Sequence, residues 1–282
     1  MSGTGQAGTM SATSHVRSTA SRAADSKPLE YLARGGFVGY GLIHLLFAWL
    51  AVQLAVGKSG GENDQSGALQ SLASKPFGKT LVIIVAVGMV ALAIWQAFEA
   101  AIGESGEQDR QAIAERVISG VRAIIYLSFA WTGVKVVTGA NASQGDQQQK
   151  GASTLMDATG GRWLVGLIGL VVIGVGVGLL MYGVKKTFEK HLNIQQMSPT
   201  VRKVTRRLGV AGYSAKGVAY AIAGLLVVVA AVTYNAKRAR GLDSALKALA
   251  AQPYGPWLLG LVALGIAAFG VYCFFQAKYR KV

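Results

Sequence analysis

The chain has 282 residues; 52% are hydrophobic and only 15% charged, with 28 Lys and Arg against 13 Asp and Glu, where soluble domains carry about 25% charged residues. That balance excludes an ordinary water-soluble globule and a chain disordered throughout. Five prolines and 37 glycines without a three-residue period exclude collagen, and the lone Cys273 excludes a disulfide framework or a cysteine-based zinc or iron–sulfur site within one chain.

Residues 1–28 are rich in Ser, Ala, Thr and Gly, with Arg17, Arg22 and Lys27 and no apolar run. They read as a disordered tail, since a secretory signal needs an apolar stretch after its basic start. Six apolar segments follow, near 37–56, 80–100, 117–138, 163–184, 212–233 and 257–277. Each holds about 20 residues, and at about 1.5 Å per residue that matches a hydrocarbon core about 30 Å thick. The expected fold is all-α, an integral membrane bundle of six helices. Sixteen Lys and Arg fall on the side of both termini and nine on the other, so both termini are expected in the cytoplasm. The basic run 185–207 suits attraction to anionic inner-leaflet lipids, at about 1 kcal/mol per basic residue. No aromatic-interleaved module accompanies it, and no nucleic-acid partner is expected.

The chain repeats itself three times. Phe47-Ala48-Trp49 recurs as Phe129-Ala130-Trp131, 82 residues on. An offset of 176 pairs Tyr40, Gly41 and His44 with Lys216, Gly217 and Tyr220. The loop Gly67-Ala68-Leu69-Gln70-Ser71-Leu72-Ala73-Ser74-Lys75-Pro76-Phe77-Gly78 matches residues 244–255, including Leu246, Leu249, Pro253, Tyr254 and Gly255. Its leucine spacing predicts a short interfacial helix in that loop, ended by Pro and Gly. In the central copy Leu155 and Gly161 align, but Thr159 replaces the proline. The units expected are 29–104, 105–190 (degenerate) and 191–282, each holding two spans. Successive copies then enter the membrane with the same orientation, which predicts a parallel, pseudo-threefold bundle. Gly35 with Gly39 and Gly174 with Gly178 form G-x-x-x-G pairs suited to close helix packing. Trp163 and Trp257 stand where an aromatic belt residue is expected.

This pattern resembles the bacterial, largely actinobacterial, membrane family known as domain of unknown function 1206. The resemblance rests on the 67–78 and 244–255 loops and on the helix starts at Gly36, Gly41, His44 and Gly212, Gly217, Tyr220. It implies a pair of transmembrane helices three times over in a bacterial plasma membrane, and it brings no activity.

Polar side chains within the spans are the candidate site, because burying them in hydrocarbon costs several kcal/mol. Tyr40, Arg122 and Lys216 share one repeat position; His44, Tyr126 and Tyr220 share the next. His44 is open to a structural reading, a proton-carrying one or a metal or haem one. Arg122 and Lys216 either snorkel to lipid phosphates or gather with His44, Tyr126 and Tyr220 in a cytoplasm-facing anion pocket. Glu99 either pairs with Arg122 or stays exposed, Lys135 snorkels, and Cys273 fills space. No catalytic motif, metal cluster or cofactor fingerprint is present. The expected function is a non-enzymatic scaffold or accessory subunit of a membrane assembly. The alternatives are a transporter or channel along the threefold axis and, less favoured, a haem or redox subunit. Polar side chains along the axis would favour transport; an axis plugged by Leu, Val and Phe would favour the scaffold.

Overall fold

A backbone amide in hydrocarbon has no water to bond, so each long apolar run satisfies its own hydrogen bonds as a helix. A computed structural model describes residues 27–58, 61–102 and 110–281, and among these lie nine α-helices and no β-strand. Six are long: α1 (Lys27–Ala55), α3 (Gly78–Ile102), α4 (Arg110–Thr138), α6 (Gly161–Val184), α7 (Pro199–Val232) and α9 (Gly255–Tyr279). All six are long and apolar enough to cross a membrane. Three short helices, α2 (Gln65–Ala73), α5 (Gln144–Asp157) and α8 (Leu242–Ala250), each join the two spans of a repeat on the face opposite the chain ends, here the cap face. The expected tail lies outside the described residues, except that Lys27 and Pro28 already belong to α1.

One boundary moves far. The fifth apolar run begins near 212, but α7 starts at Pro199. Ser198 caps it, its hydroxyl accepting from the Val201 amide, and proline suits the first turn. Arg206 then bonds both carboxylate oxygens of Glu189. Arg202, Lys203, Arg206 and Arg207, expected in a connection, therefore ride on the first turns of α7.

The long helices close into a ring. The second span of each repeat packs along the first span of the next: α3 on α4, α6 on α7, and α9 back on α1. That cyclic order is the pseudo-threefold arrangement. Within repeats, α1 packs on α3 and α7 on α9, yet α4 and α6 hardly touch. Glycine explains the difference. A Cβ on Gly36 would lie 2.5 Å from the Gly88 carbonyl oxygen, and one on Gly212 would lie 2.7 Å from Phe269 Cα. The equivalent residue of the middle repeat is Ile118. Its bulk denies the close crossing, and the middle hairpin stands open.

The tightest crossing uses glycines seven residues apart. An added Cβ on Gly176 would come 2.7 Å from the Gly217 carbonyl oxygen, and one on Gly169 2.9 Å from that of Gly224. The expected Gly174–Gly178 pair makes no contact of this kind, since an added Cβ at either position meets nothing within 4 Å. Gly78, Gly161 and Gly255, each opening the second span of its repeat, have no room for a Cβ against the carbonyls of Leu72, Leu155 and Ala250. That contact accounts for Gly161 in a copy that lacks the proline. Leu69 and Leu246 turn inward from α2 and α8 and are buried, while Phe77 and Tyr254 remain exposed beside them.

Candidate functional site

The helix starts of the three repeats bring Tyr40, His44, Tyr126 and Lys216 to the axis. Tyr40 on α1 sits at its centre, with ring centroids 5.3 Å from Tyr126, 5.9 Å from Phe269 and 4.3 Å from His44. Lys216, the repeat partner of Tyr40, reaches across from α7. Its Nζ donates to the Tyr40 hydroxyl at 3.1 Å and lies 3.9 Å from the Phe269 ring centroid. Aromatic faces of this kind hold a cation by their quadrupole. Among the described residues Lys216 forms no ion pair. His44 is buried, and its Nδ1 lies 2.8 Å from the Tyr40 carbonyl oxygen. A carbonyl only accepts, so a neutral ring carries its proton on Nδ1. Nε2 is then a bare acceptor, buried and without a partner among the described residues. Among the described residues no group of three His, Cys, Asp or Glu is placed to hold a metal.

The five candidate residues do not form one pocket. His44 and Lys216 meet at Tyr40, and Tyr126 joins them there. Arg122 instead lines a separate small cavity of about 80 Å³ at the face carrying the chain ends, with Glu99, Arg116, Lys190, His191 and Arg280. Tyr220 lines a third space, between α4 and α6. Glu99 is held by Gln96 and Ser119, and the buried Arg280 stacks 4.8 Å over Trp95 and 5.2 Å over Phe37.

His191 in the small cavity lies 3.0 Å, at Nδ1, from the Tyr182 hydroxyl. Burial, followed by the Arg280, Arg122 and Lys190 charges, pushes its pKa down to about 3. In the unfolded chain a histidine titrates at about 6.5. The unfolded form takes the proton first, so stability is full above about pH 6.5 and is lost as pH falls toward 3. Thermal melts of detergent-solubilised protein between about pH 7 and 5 should therefore show a shallower loss in His191→Phe than in the wild type. Parallel curves would reject that assignment.

At the cap face the three repeats are tied by one arginine. Arg240 pairs with Glu62 of the first repeat at 3.1 Å, with Asp146 of the second, and with Asp243 of the third at 3.4 Å. Glu62 also accepts from the Ser66 and Ser143 hydroxyls. Asp243 accepts from the Asn63 amide and from Lys247, both at 2.9 Å. Arg240 draws Asp146 below the usual carboxylate range through its hydrogen bond. Sequence spacing carries no trace of this hub, because its members come from three loops of different length.

The open middle hairpin encloses a cleft of about 600 Å³ between α4, α6 and α7, roofed by α5. Its walls are apolar, with Ile125, Phe129, Ile168, Val172 and Val227; polar side chains collect at the cap end.

A ring of three helical hairpins with a solid aromatic axis is a multi-pass membrane protein built by internal repetition. The family model described as Domain of Unknown Function (DUF1206) matches three times, over residues 35–103, 119–186 and 211–280, and the chain belongs to that family. It is similar to "Uncharacterized protein YxxB" of Bacillus subtilis (strain 168), 29% identical over 260 residues, covering 92% of this chain and 94% of the relative. No solved structure matches it.

Proposed function

We propose that the protein is a non-enzymatic scaffold or accessory subunit of an assembly in a bacterial plasma membrane. The observation that carries this reading is the filled axis, where the rings of Tyr40, Phe129, Tyr213, Phe269 and Tyr272 pack on one another, edge to face or tilted. Lys216 and His44 also put polar side chains on the axis, the arrangement expected of a transporter, but both lie against these rings, His44 4.8 Å and the Lys216 Nζ 3.9 Å from the Phe269 centroid. Contact area is then left on the lipid-facing helices. On α6, Gly174 and Gly178 are exposed and offer a second helix the close approach that packing in lipid favours. The face carrying the chain ends is cytoplasmic in this reading, by its excess of basic residues. The exposed Lys185, Lys186, Arg202, Lys203 and Arg207 then attract anionic inner-leaflet lipids.

Purification from native membranes in mild detergent after cross-linking, followed by mass spectrometry, tests the proposal. The expected result is one stoichiometric membrane-protein companion, lost in the Gly174→Leu, Gly178→Leu double variant although that variant melts like the wild type. Ion or solute flux through the reconstituted protein alone, above that of empty vesicles, would overturn it in favour of transport.

A further inference from the structure

We propose that the cleft of the middle repeat binds one uncharged amphiphile of the bilayer. Its chain would lie between α4 and α6, and its hydroxyl- or ester-bearing end would sit against the glutamines of α2 and α5. The cavity volume of about 600 Å³ lies within the range of about 300–1,000 Å³ that holds small ligands.

The two ends of the cleft differ in chemistry. At the cap end stand Gln65, Gln144, Gln147 and Gln148; at the deep end stands Tyr220. Gln65 is only 4% exposed, and its side-chain amide makes no hydrogen bond to another described residue. The Tyr220 hydroxyl likewise has no protein partner among the described residues. Neither group is sealed off from the cleft it lines, and the Gln65 amide at the cap end can bond the hydroxyl or ester oxygens of a ligand's head. The one charged residue of the lining is Asp64, whose carboxylate accepts from the Ser66 and Gly67 amides. No cation lines the cleft to neutralise a phosphate, and Asp64 repels one. An uncharged head is the one this site accommodates.

The test uses the full chain in lipid nanodiscs doped with dioleoylglycerol bearing a photoreactive tail, compared with phosphatidylglycerol bearing the same tails. After irradiation, peptide mapping locates the label. The expected result is dioleoylglycerol label concentrated on residues 125–132 and 165–172, with phosphatidylglycerol spread over all lipid-facing helices. Gln65→Leu should lower the concentrated label about fivefold. Gly151→Phe, at a lining position where an added Cβ meets nothing within 4 Å, should abolish it without unfolding the chain. Even labelling by dioleoylglycerol, equal enrichment of phosphatidylglycerol in the cleft, or full label in Gly151→Phe would each overturn the proposal.

Discussion

A leucine at Gly176 should drive α6 away from α7 and leave little folded protein. The Cβ alone would lie 2.5 Å from the Ala221 nitrogen and 2.7 Å from the Gly217 carbonyl oxygen, and backbone atoms, unlike side-chain tips, have no rotamer by which to yield. Overpacking a well-packed core costs about 1–3 kcal/mol when side chains adjust, and the upper end or beyond is expected here. The measurement is the melting temperature and the monodisperse yield in mild detergent. Gly178→Leu, two residues on and facing outward, is the control that should fold normally. A wild-type melt for Gly176→Leu would mean that α6 and α7 do not cross at this point.

Replacing Arg240 by alanine should be the second severe change. It leaves Glu62, Asp146 and Asp243 without their shared cation, and the Asp243 side chain is 1% exposed. Removing one partner of a buried ion pair costs about 3–5 kcal/mol. Arg240 retains some solvent contact and Asp243 keeps Lys247 and Asn63, so the expectation is about 2–3 kcal/mol. Adding Glu62→Gln and Asp146→Asn to the alanine variant should recover part of the loss, because neutral amides need no counter-charge. Thermal unfolding of the three proteins decides the matter; an unchanged melt in Arg240→Ala would show that the hub contributes nothing.

Much of the architecture was readable because lipid imposes it. A run such as 163–184 has one way to satisfy its backbone in hydrocarbon, and the two loop copies at 67–78 and 244–255 announce the repeat. The beginning of α7 was not readable from hydropathy, since capping by Ser198 and pairing of Arg206 with Glu189 decide it. Nor was the opening of the middle hairpin: Ile118 is an unremarkable apolar residue until set against Gly36 and Gly212 in contact with their neighbours. For the candidate site, the repeat placed Tyr40, His44, Tyr126 and Lys216 at matching heights, and three of the four helix positions meet around the ring of the first. Periodicity does not state which way a long side chain turns, and Arg122 turns toward the chain ends, apart from Lys216. The glutamines beside the cleft belong to loops, where sequence spacing conveys little about proximity.

The packing of α9 against α1 has a bearing on assembly. Gly41 receives Gly270, with an added Cβ 2.8 Å from the Gly270 carbonyl oxygen, and Arg34 donates to the carbonyls of Ala277 and Lys278. The first of these six spans is therefore sealed by the sixth, across more than two hundred residues of sequence. Until α9 is made, the side of α1 that packs on it stays bare in the lipid, and such non-local closure is the slow part of folding. A prematurely stopped chain would present that bare side to whatever neighbour the membrane supplies.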